Sequence, residues 1–133
     1  MASRIQAINT FRPRVDQGNT VQKGEYTRVL ARNSTANEGT VDSILKETRD
    51  LIIQYCREGR AIKIEGIGVF TPTVGLDGTF DVSVRPDNAL AEGLNTAKTF
   101  TGSIINSENI GKTADELVAL WNTAHPEDPV TEP

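Results

Sequence analysis

The stretch Arg60-Ala61-Ile62-Lys63-Ile64-Glu65-Gly66-Ile67-Gly68-Val69-Phe70 decides how the chain is read. Ala61 to Glu65 alternates apolar and polar side chains, the pattern of a half-buried strand. Gly66 and Gly68 bracket one apolar residue, which lets the backbone turn tightly and approach another surface closely. A β-rich run, Phe70 to Val74, follows at once, so the spacing predicts a hairpin.

Upstream lies the clearest helical pattern in the chain. Val41, Ile44, Leu45, Thr48, Ile52, Tyr55 and Cys56 fall on one 3.6-period stripe, widened by Leu51 and Ile53, and Gly59 is placed to close the helix. Thr35 and Glu38 have capping-box spacing at its start. The stripe is wide enough to cover both a sheet of its own subunit and a partner, which predicts a homodimer with Ile44, Thr48, Ile52, Tyr55 and Phe70 at the interface. A shorter helix precedes it, roughly Gln22 to Asn33, with Tyr26, Val29 and Leu30 on one face. Downstream, Gly75-Leu76-Asp77-Gly78 predicts a second turn and Thr79 to Val84 a strand with Phe80, Val82 and Val84 inward. Arg85-Pro86-Asp87 ends that strand and opens a short helix carrying Ala89, Leu90 and Leu94.

The two ends read as additions. Residues 1–21 form an N-terminal extension with a β-like run from Arg4 to Phe11, broken at Pro13. Residues 22–95 are the core domain. Residues 96–125 add a β-like piece, Phe100 to Asn106, and a helix capped by Thr113 and Glu116 that carries Leu117, Val118, Leu120 and Trp121. Residues 126–133, with Pro126, Pro129 and Pro133 among acids, read as a disordered tail. The fold class is α+β: a helix pair, a three-stranded antiparallel sheet and a short helix, with an extra N-terminal strand and a C-terminal strand and helix.

Composition narrows the function. At 133 residues, 37% apolar and 24% charged, the chain has the profile of an ordinary globular protein. No apolar run approaches the roughly 20 residues a membrane helix needs, and the start of the chain has no signal-like apolar segment. Cys56 is the single cysteine, so the expected setting is a reducing cytoplasm. The net charge of −4 is uneven. Residues 1–21 hold three bases and one acid, residues 22–95 nine bases and eleven acids, and residues 96–133 two bases and six acids. Charge alone does not predict strong, sequence-blind phosphate binding.

Over residues 22–95 the chain resembles the bacterial HU and integration host factor family of histone-like DNA-binding proteins. The resemblance rests on the capped turn at Ser34-Thr35, the Gly66-Ile67-Gly68-Val69-Phe70 hairpin and the Arg85-Pro86-x-x-Ala89-Leu90 step, in that order. It implies an HU-like fold, a homodimer, DNA as partner and a place in the bacterial nucleoid. Two departures accompany it. The four residues Gly75 to Gly78 leave no room for the family's long basic arm and its proline wedge, so strong bending is not expected. Around Pro86 the family's further lysines are replaced by Asn88 and Ala91.

The resemblance places DNA contacts at Lys23, Gly66, Ile67, Gly68, Thr71, Thr73 and Arg85. Arg4, Arg12 and Arg14 are a separate accessory set, a basic N-terminal arm. Each has a plainer reading: hairpin geometry for the glycines, an ion pair or helix-start contact for Arg85, a solvated side chain for Lys23, and edge-strand solubility for Arg12 and Arg14. No catalytic constellation, metal-ligand spacing or phosphate loop is found, and no cofactor or small-molecule substrate is expected. His125 lies in a proline-bounded tail and Cys56 on the apolar stripe, where a thiol is inert. The expectation is a non-enzymatic protein making weak, phosphate-directed DNA contacts. The alternative is a scaffold of the same fold that has lost DNA binding and engages proteins.

Overall fold

The structure, a computed structural model, describes residues 2–131; Met1, Glu132 and Pro133 lie outside the described residues. Its elements are α1 (Arg4–Phe11), β1 (Arg14–Asp16), α2 (Lys23–Ser34), α3 (Glu38–Arg57), β2 (Ile62–Ile64), β3 (Gly68–Val74), β4 (Phe80–Pro86), α4 (Asn88–Leu94), β5 (Ser103–Ile105), a short 3-10 turn at Ser107–Asn109 and α5 (Ala114–Ala124). They divide into two units, Thr20–Phe100 and a second made of both ends, Met1–Asn19 with Thr101–Pro133.

In the first unit, α2 packs on α3, and α3 lies against β2 and β3. Asn37 caps α3, its Oδ1 accepting the Thr40 amide at 2.7 Å. Thr35 is not the cap that the Thr-x-x-Glu spacing suggests. It sits left-handed at φ 62 and closes α2, while the asparagine two residues on, a better acceptor at that position, starts α3. At the other end of α3, Gly59 takes φ 77. Its amide donates to the Cys56 carbonyl at 3.0 Å and the Arg60 amide to Tyr55 at 3.0 Å, the paired bonds that stop a helix and reverse the chain into β2.

The sheet runs β2-β3-β4, antiparallel throughout. Ile62 pairs with Phe70 and Phe70 with Val84; Ile64 pairs with Gly68 and Gly68 with Pro86. Directly paired residues share a face, so Ile62, Ile64, Phe70, Pro72, Val74, Phe80, Val82, Val84 and Pro86 form one apolar side. Phe80, Val82 and Val84 are expected inside, yet in the single chain they stand exposed, Phe80 at 79%. Strand alternation assigns them to the right face but does not supply what covers it.

The second unit corrects three expectations. Arg4 to Phe11 is a helix, not a strand: Ser3 Oγ accepts the Gln6 amide at 3.1 Å, and Ala7, Ile8 and Phe11 turn one face toward α5. The extra N-terminal strand exists, but as β1, paired antiparallel with β5 through Val15 opposite Ile104. The tail from Pro126, expected to be disordered, folds back as far as it is described. Trp121 Nε1 donates to the Asp128 carbonyl at 2.8 Å, the Val130 amide donates to Asn122 Oδ1 at 2.8 Å, and Val130 is buried with Ala2, Ala7, Val118 and Trp121. A buried apolar contact and two hydrogen bonds outweigh the local disorder-promoting composition.

Gly68 has an ordinary φ, but a Cβ built there meets the Arg85 carbonyl oxygen at 2.6 Å. Gly68→Ala is therefore expected to cost about 1–3 kcal/mol in chemical denaturation by forcing β3 and β4 apart. Gly24, near the start of α2 with open space around its Cα, is the contrast: Gly24→Ala should gain up to about 1 kcal/mol.

Candidate nucleic-acid interface

The sheet's second face is polar. Lys63 pairs with Val69 and Val69 with Arg85, so the two cations stand in one cross-strand row on either side of a half-buried valine. Thr71 opposite Ser83 forms the next row on that face, and Thr73 opposite Asp81 the one beyond. Lys63, Gly68, Val69, Arg85, Pro86, Asp87 and Asn88 line a small cleft of about 200 Å³ at the end of the sheet where β4 passes into α4. Among the described residues neither Lys63 nor Arg85 is in an ion pair. Asp87 lies in the same cleft, but its Oδ1 accepts the Ala89 amide at 2.9 Å and caps α4.

The glycine hairpin borders this cleft. Gly66 adopts φ 80, which only glycine takes without strain, and the Ile67 amide donates to the Ile64 carbonyl at 3.0 Å. The Ile67 carbonyl accepts the Asp87 amide at 2.9 Å. The Ile67 amide is thus spent on the turn, and Gly68 is explained by the approach of Arg85. The Ile67 side chain remains more than half exposed.

The other candidates are scattered. Lys23 Nζ lies 2.8 Å from Asp42 Oδ1, and Lys46 Nζ is 2.9 Å from the second oxygen of the same carboxylate. The hydrogen bond and charge of Asp42 raise the Lys23 pKa, and the two ammonium donors hold the Asp42 carboxyl below its usual range. Arg4 is bound to Asp115 at 2.6 Å. Arg12 and Arg14 line a polar cleft in the other unit with Gln6, Asn9 and Thr10. Lys63, Ser83 and Asn88 are additions to the expected set. Lys63 was legible, since it is the polar member of the alternation Ile62-Lys63-Ile64 and falls opposite Val69.

Opposite the polar face, α3 and the sheet leave an apolar groove of about 390 Å³ lined by Ile53, Cys56, Pro72, Phe80 and Val82, with Arg57 and Asp81 beside them. Of the expected interface residues, Ile44 is 58% exposed, while Thr48, Ile52, Tyr55 and Phe70 are half-buried. Thr48 Oγ1 donates to the Ile44 carbonyl at 2.8 Å. His125 is not in a free tail: its ring stacks on Trp121 with centroids 3.8 Å apart. Among the described residues no group of three or more potential metal ligands converges. No helix there is long and apolar enough to cross a membrane.

No family model and no curated protein matches the chain. Solved structures do. A mutant HU of Thermotoga maritima aligns at 24% identity and TM-score 0.48, covering 56% of this chain and 99% of that one. The HU of Anabaena crystallised with DNA aligns at 16% identity and TM-score 0.47, covering 56% of this chain and 98% of that one.

The Asp42 bridge sets a pH response. A carboxylate whose folded pKa is depressed adds stability above its unfolded value, about 3.9, and loses it as pH falls through the folded value. In thermal melts from pH 5 to pH 2, Asp42→Asn is expected to flatten the acid-side fall in Tm. Asp77, lowered chiefly by the Thr79 amide bond, should preserve part of the slope.

Proposed function

We propose that the chain is a non-enzymatic, HU-like DNA-binding protein, a homodimer of the bacterial nucleoid that meets the phosphate backbone without bending it sharply. The observation that carries the reading is the Lys63–Val69–Arg85 row. Two cations that form no ion pair among the described residues sit on one sheet face beside the hydroxyls of Thr71 and Ser83, while Thr73 Oγ1 is given to the Asp81 carbonyl at 3.3 Å. Such donors position a protein on phosphates and carry no base readout. Lys23 contributes only if it leaves Asp42, so the working cations are Lys63 and Arg85. Val74 pairs with Phe80 across a turn of five residues, which gives the hairpin no reach around a groove and no apolar wedge between base steps.

The homodimer is supported by what the first unit lacks. Val41 is the one apolar side chain buried there among the described residues, although α3 and the sheet carry more than a dozen. An apolar surface of this extent marks an interface. α5 spends its own apolar face on α1 and the tail.

Sedimentation should give about twice 14.5 kDa, and Ile44→Asp, on a side chain already exposed in the single chain, should shift it to one. A dimer using Lys63 and Arg85 neutralises four phosphates, so log K against log salt should have a slope of about −3.6 and Kd should fall near 10⁻⁴–10⁻⁶ M. Arg85→Ala should flatten the slope by about 1.8 in the dimer. Absence of binding to linear, nicked and cruciform DNA at low salt would replace this reading with the protein scaffold.

A further inference from the structure

The unit built from the chain ends carries a second cationic surface. Gln6, Asn9 and Thr10 lie on the exposed face of α1, and Arg12 and Arg14 follow them along one open cleft of about 660 Å³. Among the described residues no acidic side chain lines it. We infer that this cleft is a second phosphate-backbone site for nucleic acid, with Arg12 and Arg14 as its charged contacts.

Two plainer roles for these arginines are already filled. A basic residue just past a helix commonly satisfies the last carbonyls. Here asparagines from the other end of the chain do so. Asn106 Nδ2 donates to the Thr10 and Arg12 carbonyls at 2.9 and 3.1 Å, and Asn109 Nδ2 to Phe11 at 2.7 Å. The Arg12 amide returns to Ile8 at 2.9 Å. The second role is an ion pair, and within this unit the arginine so engaged is Arg4, on Asp115. Arg12 and Arg14 have no such partner among the described residues; Asp16, two positions beyond Arg14, does not line the cleft.

The geometry favours a polyanion over a single small anion. Arg12 is extended, Pro13 fixes the next φ, and Arg14 begins β1, so the two arginines leave the backbone about two residues of strand apart, roughly 6–7 Å along the chain. The backbone leading into Arg12 is pinned by three asparagine bonds and Arg14 is paired with Ile105 in the β1–β5 ladder, which lowers the ordering cost of engaging successive charges. Exposed amides at Gln6 and Asn9 add neutral donors of the kind that contact phosphate oxygens. The inference rests on the nucleic-acid reading only for the identity of the polyanion.

The test is an NMR titration of the full-length protein with a duplex oligonucleotide, following the Arg12 and Arg14 Nε–Hε signals separately from Arg85 Nε–Hε and the Lys63 amide. A parallel salt titration uses Arg12→Gln with Arg14→Gln. Shifts at Arg12 and Arg14, with a slope flattened by about 0.9 for each guanidinium that meets a phosphate, are the expected result. Movement at Lys63 and Arg85 with silence at Arg12 and Arg14 overturns the second site and leaves the sheet-face reading intact. The reverse pattern upholds the cleft and overturns the sheet face; silence at both overturns both. A response to poly-glutamate but not to DNA makes the cleft a protein-docking site and overturns the nucleic-acid assignment.

Discussion

The passage of the Arg85 carbonyl over Gly68 is the constraint on which the sheet depends. With 2.6 Å between that oxygen and the place a Cβ would occupy, β3 and β4 come together there only because residue 68 is glycine. The same pairing sets Gly68 opposite Pro86 and Ile64, which fixes which residues of all three strands share a face. A slip of one residue in either pairing would send Lys63 or Arg85 to the apolar side and an aliphatic partner to solvent. The Asp87–Ile67 hydrogen bond ties the same corner to the start of α4. Hairpin, cation row and helix start are therefore one mechanical unit, and its stiffness comes from packing, not from a binding role for the glycine amides.

That register divides the sheet into two surfaces with opposite needs. One carries cations, hydroxyls and the Asp81 carboxylate, all of which rest comfortably in water. The other is aliphatic and aromatic, backed by α3 over part of its extent and open over Phe80, Val82 and Val84. The terminal unit shows what closure looks like in the same molecule: Ala2, Ala7, Val118, Trp121 and Val130 are nearly sealed by α1, α5 and the returning tail. A buried cluster forms there within one chain, although Ile5 and Ile110 stay exposed, whereas in the α3–sheet unit Val41 is the one buried apolar side chain among the described residues. The contrast is the observation behind the proposed homodimer, and composition alone does not provide it.

The first unit was largely legible from sequence because its signals are local. The α3 stripe, Gly59 beyond its end, the two glycine turns and the alternation of β4 are each contained within a short window. The errors lie where another element, near or far in sequence, decides. Arg4 to Phe11 alternates weakly enough to pass for a strand, and its helical face is revealed only by α5, over a hundred residues away. The Ser3-x-x-Gln6 spacing was the available local clue. Thr35 and Asn37 both suit a helix start, and the left-handed turn that uses Thr35 to finish α2 leaves Asn37 to begin α3. The tail looked disordered because Trp121 and Asn122, which bind it, sit on another element. Lys23 matched a basic position, and nothing near it in sequence announces that Asp42 holds it.

The proposed contact of an acidic chain with a polyanion is less paradoxical once four of its eighteen acids are placed. Asp42 bridges Lys23 and Lys46, Asp77 accepts the Thr79 amide in the β3–β4 turn, Asp87 caps α4 and Asp115 holds Arg4. These carboxylates hold turns, helix starts and ion pairs. Their fields are partly cancelled where they arise, and beyond about 8 Å at physiological ionic strength the remainder is screened. The sum of −4 therefore measures the whole molecule and not the potential over Lys63 and Arg85, or over Arg12 and Arg14. What a low cation count does limit is strength. With two bases on each surface, few counterions are released, and affinity is bounded by that number whatever the shape of the surface. On the proposed reading, contact with nucleic acid would therefore be made of several weak interactions, and its effect would depend on local concentration.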